Sequence, residues 1–137
     1  MDSIQRAQSC LKELVKTTIG MKNGEAPKPM VVIGIHAELV EVFWQLGQEM
    51  NTQFSAKEQA YLRRKNNQAR SHLKYRDQNL TVKDSETHAF IDSWEDLDEE
   101  VKKAAAYENY RTLLRAVDKG IEHARSVVSF LKTTEQQ

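Results

Sequence analysis

One cysteine, two prolines and five glycines in 137 residues leave little from which to build turns or cross-links. The lone Cys10 cannot close an internal disulfide, so a cytoplasmic setting is expected. It sits beside Leu11 on the apolar side of its segment and reads as a packing residue rather than a nucleophile. The longest apolar run is Met30 to Ile35, far short of the ~20 residues of a membrane span. No secretory leader is visible, because the first residues interleave apolar positions with Gln, Arg, Lys and Glu. The formal net charge of zero excludes a uniformly basic, histone-like chain.

Chemical signatures are also missing. None of His36, His72, His88 and His123 falls in an HExxH or ExxH spacing. There is no phosphate-binding GxxxxGK[ST], no GxGxxG and no GxSxG. The acid-rich stretch at 92–100 lacks the glycine of a calcium-binding loop. Neither metal nor cofactor is expected, and no catalytic constellation supports an enzyme.

What is present is a separation of charge. Residues 57–76 hold seven bases (Lys57, Arg63, Arg64, Lys65, Arg70, Lys74, Arg76) against Glu58 alone, a local charge of +6. Residues 84–100 hold eight acids and no base. On a helical projection Arg63, Arg70 and Lys74 fall within about 40° of one another. Lys57 and Arg64 share one flank, Lys65 and Arg76 the other. A solvated helix face usually mixes both signs to gain pairs one turn apart, and this one does not. Asn66, Asn67 and Gln68 are neutral donors suited to phosphate and sugar. Tyr61 and Tyr75 stand at either end and could stack on bases. Two readings stay open: a nucleic-acid track, and a solvated or internally paired face. No recognition helix, zinc finger or attached zipper is present to read duplex sequence, so single strands are the better match. The acids have two readings as well: a solvated helix start, where the dipole favours them, or an electrostatic contact with a neighbouring protomer's basic helix or with a basic partner.

The pattern is mainly α. Residues 3–19 repeat apolar positions at three and four, with Asp2 or Ser3 as the cap. At 30–34 three β-branched residues in a row favour an extended strap, although Pro29 could equally open a helix. A long helix is expected over 36–76, with Leu39, Phe43, Leu46, Met50, Phe54 and Tyr61 on one face. Its apolar face thins in the basic half. A helical segment at 81–132 follows, with starts at Thr81 or Ser85 and again at Ser93, and a frayed tail at 133–137. In it Tyr107, Tyr110, Leu114, Val117, Ile121, Ala124, Val128 and Leu131 recur at alternating three and four, a heptad seam. One domain over 1–137 is expected. Its two long helices fold back as an antiparallel hairpin and assemble through the seam into a homo-oligomer.

Several features in this order resemble a known family. Phe43-Trp44 sits early in a long helix that ends basic in Leu73-Lys74-Tyr75. A polar break, the helix opening LTVKDSE (80–86) and a heptad helix ending IEHARSVVSFLK (121–132) follow. Over roughly 36–132 this resembles the phage recombination mediators of the UvsY type. The resemblance implies a small helical oligomer that binds single-stranded DNA and helps a RecA-like recombinase displace single-strand-binding protein. It places DNA binding on the basic face at 63–76 and assembly on the terminal heptad helix. The competing reading is a helical-hairpin scaffold or assembly adaptor in which bases and acids pair between protomers.

Overall fold

The computed structural model describes residues 1–135. Four helices make up the fold: α1 (Ser3–Lys22), α2 (Pro29–Asp77), α3 (Val82–Asp92) and α4 (Trp94–Glu135). No strand occurs among the described residues. Contacts group them into two compact units, residues 1–49 with 110–137 and residues 50–109.

Local chemistry explains the breaks. Asp2 caps α1 by accepting from the Gln5 backbone N–H at 2.7 Å, while the Gln5 side chain accepts from the Asp2 N–H at 3.2 Å. This capping box satisfies two of the free donors of the first turn. α1 closes with Glu25 N–H donating to the Gly20 carbonyl and Gly24 N–H to that of Met21. Gly24 supplies the left-handed conformation (φ 87°) that such a close requires. The same device ends α2: Leu80 N–H donates to the Tyr75 carbonyl, Asn79 N–H to that of Arg76, and Asn79 takes φ 66°. Thr81 caps α3 by accepting from Asp84 N–H. Ser93 alone separates α3 from α4.

The extended strap expected at 30–34 is a correction: that segment is helical. Pro29 opens α2, where its missing donor costs nothing. Val32 and Ile35 are buried while Met30, Val31 and Ile33 remain exposed. The helical spacing is what lets Val32 and Ile35 reach the core together, so packing overrides the β preference of the run. The expected boundaries of α1 and α2 move outward to Lys22, Pro29 and Asp77. The segment expected at 81–132 is two helices. α4 runs on to Glu135, so 133–135 continue the helix, and 136–137 lie outside the described residues.

In the first unit α1, the start of α2 and the end of α4 pack around one apolar core. Val32, Ile35, Leu39, Val42 and Leu46 of α2 meet Val117, Ile121, Ala124, Val127 and Leu131 of α4, with Ala7 and Leu14 of α1. Tyr110, Leu114 and Val128 pack at its margin. The heptad seam is therefore filled from within the chain. α4 comes closest to its neighbours at Gly120, where an added methyl would lie 2.8 Å from Leu11 Cδ2 and 3.4 Å from Leu39 Cδ1. Arg6 ties α1 to α2, donating to Glu38 at 2.6 and 2.9 Å and to Gln45 at 2.9 Å.

α2 also contains an 18-residue window of mean hydropathy 1.4, long and apolar enough in composition to cross a membrane. Counting contiguous apolar residues missed it, because His36, Glu38 and Glu41 interrupt a stretch that is otherwise nearly uncharged. The same helix supplies five of the buried core residues.

The second unit is built differently. Its buried apolar residues are Ala60 and Ala89, joined by buried Ser85 and Ser93. Half-buried Leu80, Leu97, Ala104 and Ala106 add to them, and polar and aromatic contacts supplement this limited apolar burial.

Leu39→Ala should cost about 2–5 kcal/mol, the usual range for a buried leucine. Gly120→Ala should be close to neutral, because the gain in helix propensity of about 1 kcal/mol offsets a shift of the flexible Leu11 tip. Ile121→Asp should unfold the first unit rather than split an oligomer, since the charge would be buried in the chain's own core. Urea unfolding followed by circular dichroism, with light scattering for mass, checks all three.

Candidate nucleic-acid interface

The basic half of α2 lies in the second unit together with α3 and the acidic start of α4. α4 brings its acids onto one flank of the basic helix. Arg64 Nε and Glu100 are paired, both largely sheltered at 18% and 19% side-chain exposure. Arg63 Nη1 lies 3.3 Å from Glu99 Oε2 in an open pair at 56% and 46%. Asn67 Nδ2 donates to Asp96 at 2.9 Å. The separated charges of the sequence thus meet inside one chain. A sheltered pair with good geometry fixes register, whereas an open pair contributes roughly 0–1 kcal/mol.

The pairing stops short of the whole basic segment. Among the described residues Lys57, Lys65, Arg70, Lys74 and Arg76 have no ion-pair partner. Lys65, Arg70, Lys74 and Arg76 are exposed and Lys57 is half-buried. Arg70 and Lys74 lie beyond Asn67, the last α2 residue bonded to α4. Lys57 Nζ stands 4.9 Å from the Tyr107 ring centre and 6.0 Å from that of Phe54, and those two rings pack at 5.6 Å. Tyr107 is thereby engaged within the chain. Arg76 donates to the Leu80 carbonyl at 2.9 Å, bracing the turn after α2.

The two flanking tyrosines have different surroundings. Tyr61 is exposed, with Arg64 and Lys65 at 5.5 and 5.6 Å from its ring centre. Tyr75 is half-buried. Its hydroxyl donates to Asp92 at 2.7 Å, and its ring stacks on His88 at 4.9 Å. The Asp92 hydrogen bond pushes the Tyr75 phenol above its ordinary value, with burial and the Asp92 charge acting the same way. Of the two rings that could stack on bases, Tyr75 is already occupied and Tyr61 is open.

A groove of about 520 Å³ runs beside the basic face between α2 and α3. It is lined by Lys65, Gln68, Ala69, His72, Leu73, Glu86 and Ala89. Nothing in the sequence announced it, because it depends on where α3 docks. Where α3 gives way to α4, Phe90 and Trp94 form an exposed edge-to-face pair at 5.9 Å beside exposed Ile91.

Elsewhere the chemistry is spare. Among the described residues no three His, Cys, Asp or Glu side chains converge as a metal site. Cys10 packs against the first unit's core, and burial, followed by Glu38 and Glu13, pushes its thiol up, away from a reactive thiolate. Comparison with known protein families, with curated proteins and with solved structures finds no match.

Because the Tyr75 phenol is raised, its neutral form is favoured in the folded chain. The stabilisation is present below the ordinary tyrosine value of about 10 and is lost as pH rises through the folded one. Asp92→Ala should bring the Tyr75 titration back down, read by ring-carbon NMR. An unchanged titration would mean that the Tyr75–Asp92 bond does not form in solution.

Proposed function

We propose that the chain binds single-stranded DNA along the basic half of α2 and acts as a recombination mediator. The observation that carries this reading is the incomplete pairing of the basic segment. Two of its seven bases are held by α4 acids, and five cations, four of them exposed, beside an open tyrosine are not. Five unmatched cations on one stretch of helix form a field that attracts a polyanion, and an accessible ring adds a base-stacking surface. Lys65, Arg70 and Lys74 are the central phosphate contacts, with Lys57 and Arg76 outside them. Tyr61 rather than Tyr75 supplies stacking. Arg63 joins when a phosphate competes with its open pair to Glu99, while Arg64 stays with Glu100.

The resemblance to UvsY-type mediators supports the biological half of the proposal, with a RecA-like recombinase and single-strand-binding protein as partners. We read α2 and α4 as an antiparallel hairpin, because Phe54 meets Tyr107, Arg63 meets Glu99 and Asn67 meets Asp96 in opposite chain order. The scaffold alternative needs bases and acids free to pair between protomers. Pairing within one chain removes its two best-placed arginines. The seam is not proposed as the assembly surface, since Val117, Ile121, Ala124 and Leu131 are buried against α1 and α2.

Fluorescence anisotropy with labelled oligo-dT tests the reading. Each phosphate neutralised contributes about −0.7 to the slope of log affinity against log salt for single strands. Lys65→Gln/Arg70→Gln/Lys74→Gln should therefore flatten the slope by about 2 while helicity is retained. Tyr61→Ala should weaken binding by roughly 1–3 kcal/mol and leave the slope nearly unchanged. Absence of oligo-dT binding by wild-type protein at low salt would overturn the proposal.

A further inference from the structure

A second group of donors lies in the first unit. Arg125, Ser129 and Lys132 stand four and three residues apart on α4, which places them along one stripe of the helix. Ile33 and His36 of α2 lie across from them, and together with Val128 they line a cavity of about 190 Å³. Each polar side chain of that lining can donate a hydrogen bond, and no carboxylate contributes to it. Among the described residues neither Arg125 nor Lys132 has an ion-pair partner. His36 Nε2 is buried and has no hydrogen-bond partner. A buried polar atom left unpaired is costly and calls for an explanation.

Ordinary helix electrostatics accounts for part of this group only. A lysine in the last turn of α4 is favoured by the helix dipole. That does not explain an arginine two turns earlier, nor an unpaired imidazole nitrogen in the opposing wall. An anion that only accepts hydrogen bonds would satisfy all four donors at once. Guanidinium matches tetrahedral oxyanions through paired N–H groups, and lysine adds a point charge. A volume of this size holds a few water-sized groups, enough for a phosphate and too small for a nucleoside around it.

We propose that Arg125, Ser129, Lys132 and His36 form a phosphate-binding site in the first unit. The ligand is a phosphate group, either free or carried on a strand. This goes beyond DNA binding by the basic half of α2 and does not depend on it.

The test follows the imidazole NMR resonances of His36 in the full chain, with His123, which does not line this cavity, as the internal reference. Inorganic phosphate is titrated against chloride of matched ionic strength. His36 should move saturably with phosphate and not with chloride. Arg125→Gln/Lys132→Gln should weaken that response at least tenfold. Both residues are exposed, so the fold should be kept, which circular dichroism checks. Parallel titrations with oligo-dT, with and without a 5′-phosphate, identify the source. A His36 response to free phosphate assigns a small-anion site. A response confined to an oligonucleotide, and lost in the double variant, assigns a strand phosphate. No response of His36 to phosphate or to either oligonucleotide beyond that to chloride overturns the site. So does a response that survives the double variant. Failure of oligo-dT to bind along α2 leaves the free-phosphate result intact, so the two proposals fail separately.

Discussion

The Arg64–Glu100 pair is the contact on which the second unit turns. Its apolar core is two alanines, too little to specify how three helices should lie. A sheltered ion pair does what side-chain volume cannot. It is unfavourable to break, because either charge left alone would be poorly solvated, and so it selects one register of α4 on α2. Arg63–Glu99 and Asn67–Asp96 fall into place on either side, and Tyr75–Asp92 extends the polar contacts to the end of α3. The zero net charge of the chain and its uneven distribution are thus one feature. The acids at 92–100 sit where they can neutralise part of the basic helix, and the excess cations are those without an α4 carboxylate.

The first unit relies on the opposite physics. Leucine, isoleucine and valine from α2 and α4 fill a core closed by α1, and polar contacts such as Arg6 with Glu38 lie at its margin. Hydrophobic burial carries that unit and is little affected by salt, whereas the paired charges of the second unit are screened by it. Openings of the backbone should therefore differ between the two, with the second unit the more responsive to ionic strength.

Much of the fold was legible because helices announce themselves by period and by caps. Asp2, Thr81 and Ser93 mark starts that the structure uses. Extension at 30–34 was misread because local preference for β-branched residues is weak beside the need to bury Val32 and Ile35. The seam was expected to assemble an oligomer; Val117, Ile121, Ala124 and Leu131 are buried within the chain, and period alone does not say whose side chains fill such a stripe. In the same way the basic and acidic blocks were visible, and the sequence left open whether they meet in one chain. The availability of Tyr61 and the occupation of Tyr75 depend on where α3 packs. So do the groove beside Lys65 and the donor cluster around His36 on tertiary placement, which no local pattern carries.

On the proposed reading, α4 masks part of the strand-binding face of α2 from within the same chain. The most direct measurement is the salt dependence of oligo-dT binding for Glu99→Gln/Glu100→Gln compared with wild type. Releasing Arg64, and freeing Arg63 from competition with Glu99, should tighten binding at low salt and steepen the slope by about 0.7, one further phosphate contact. An unchanged slope in a variant that keeps its helicity would contradict the account.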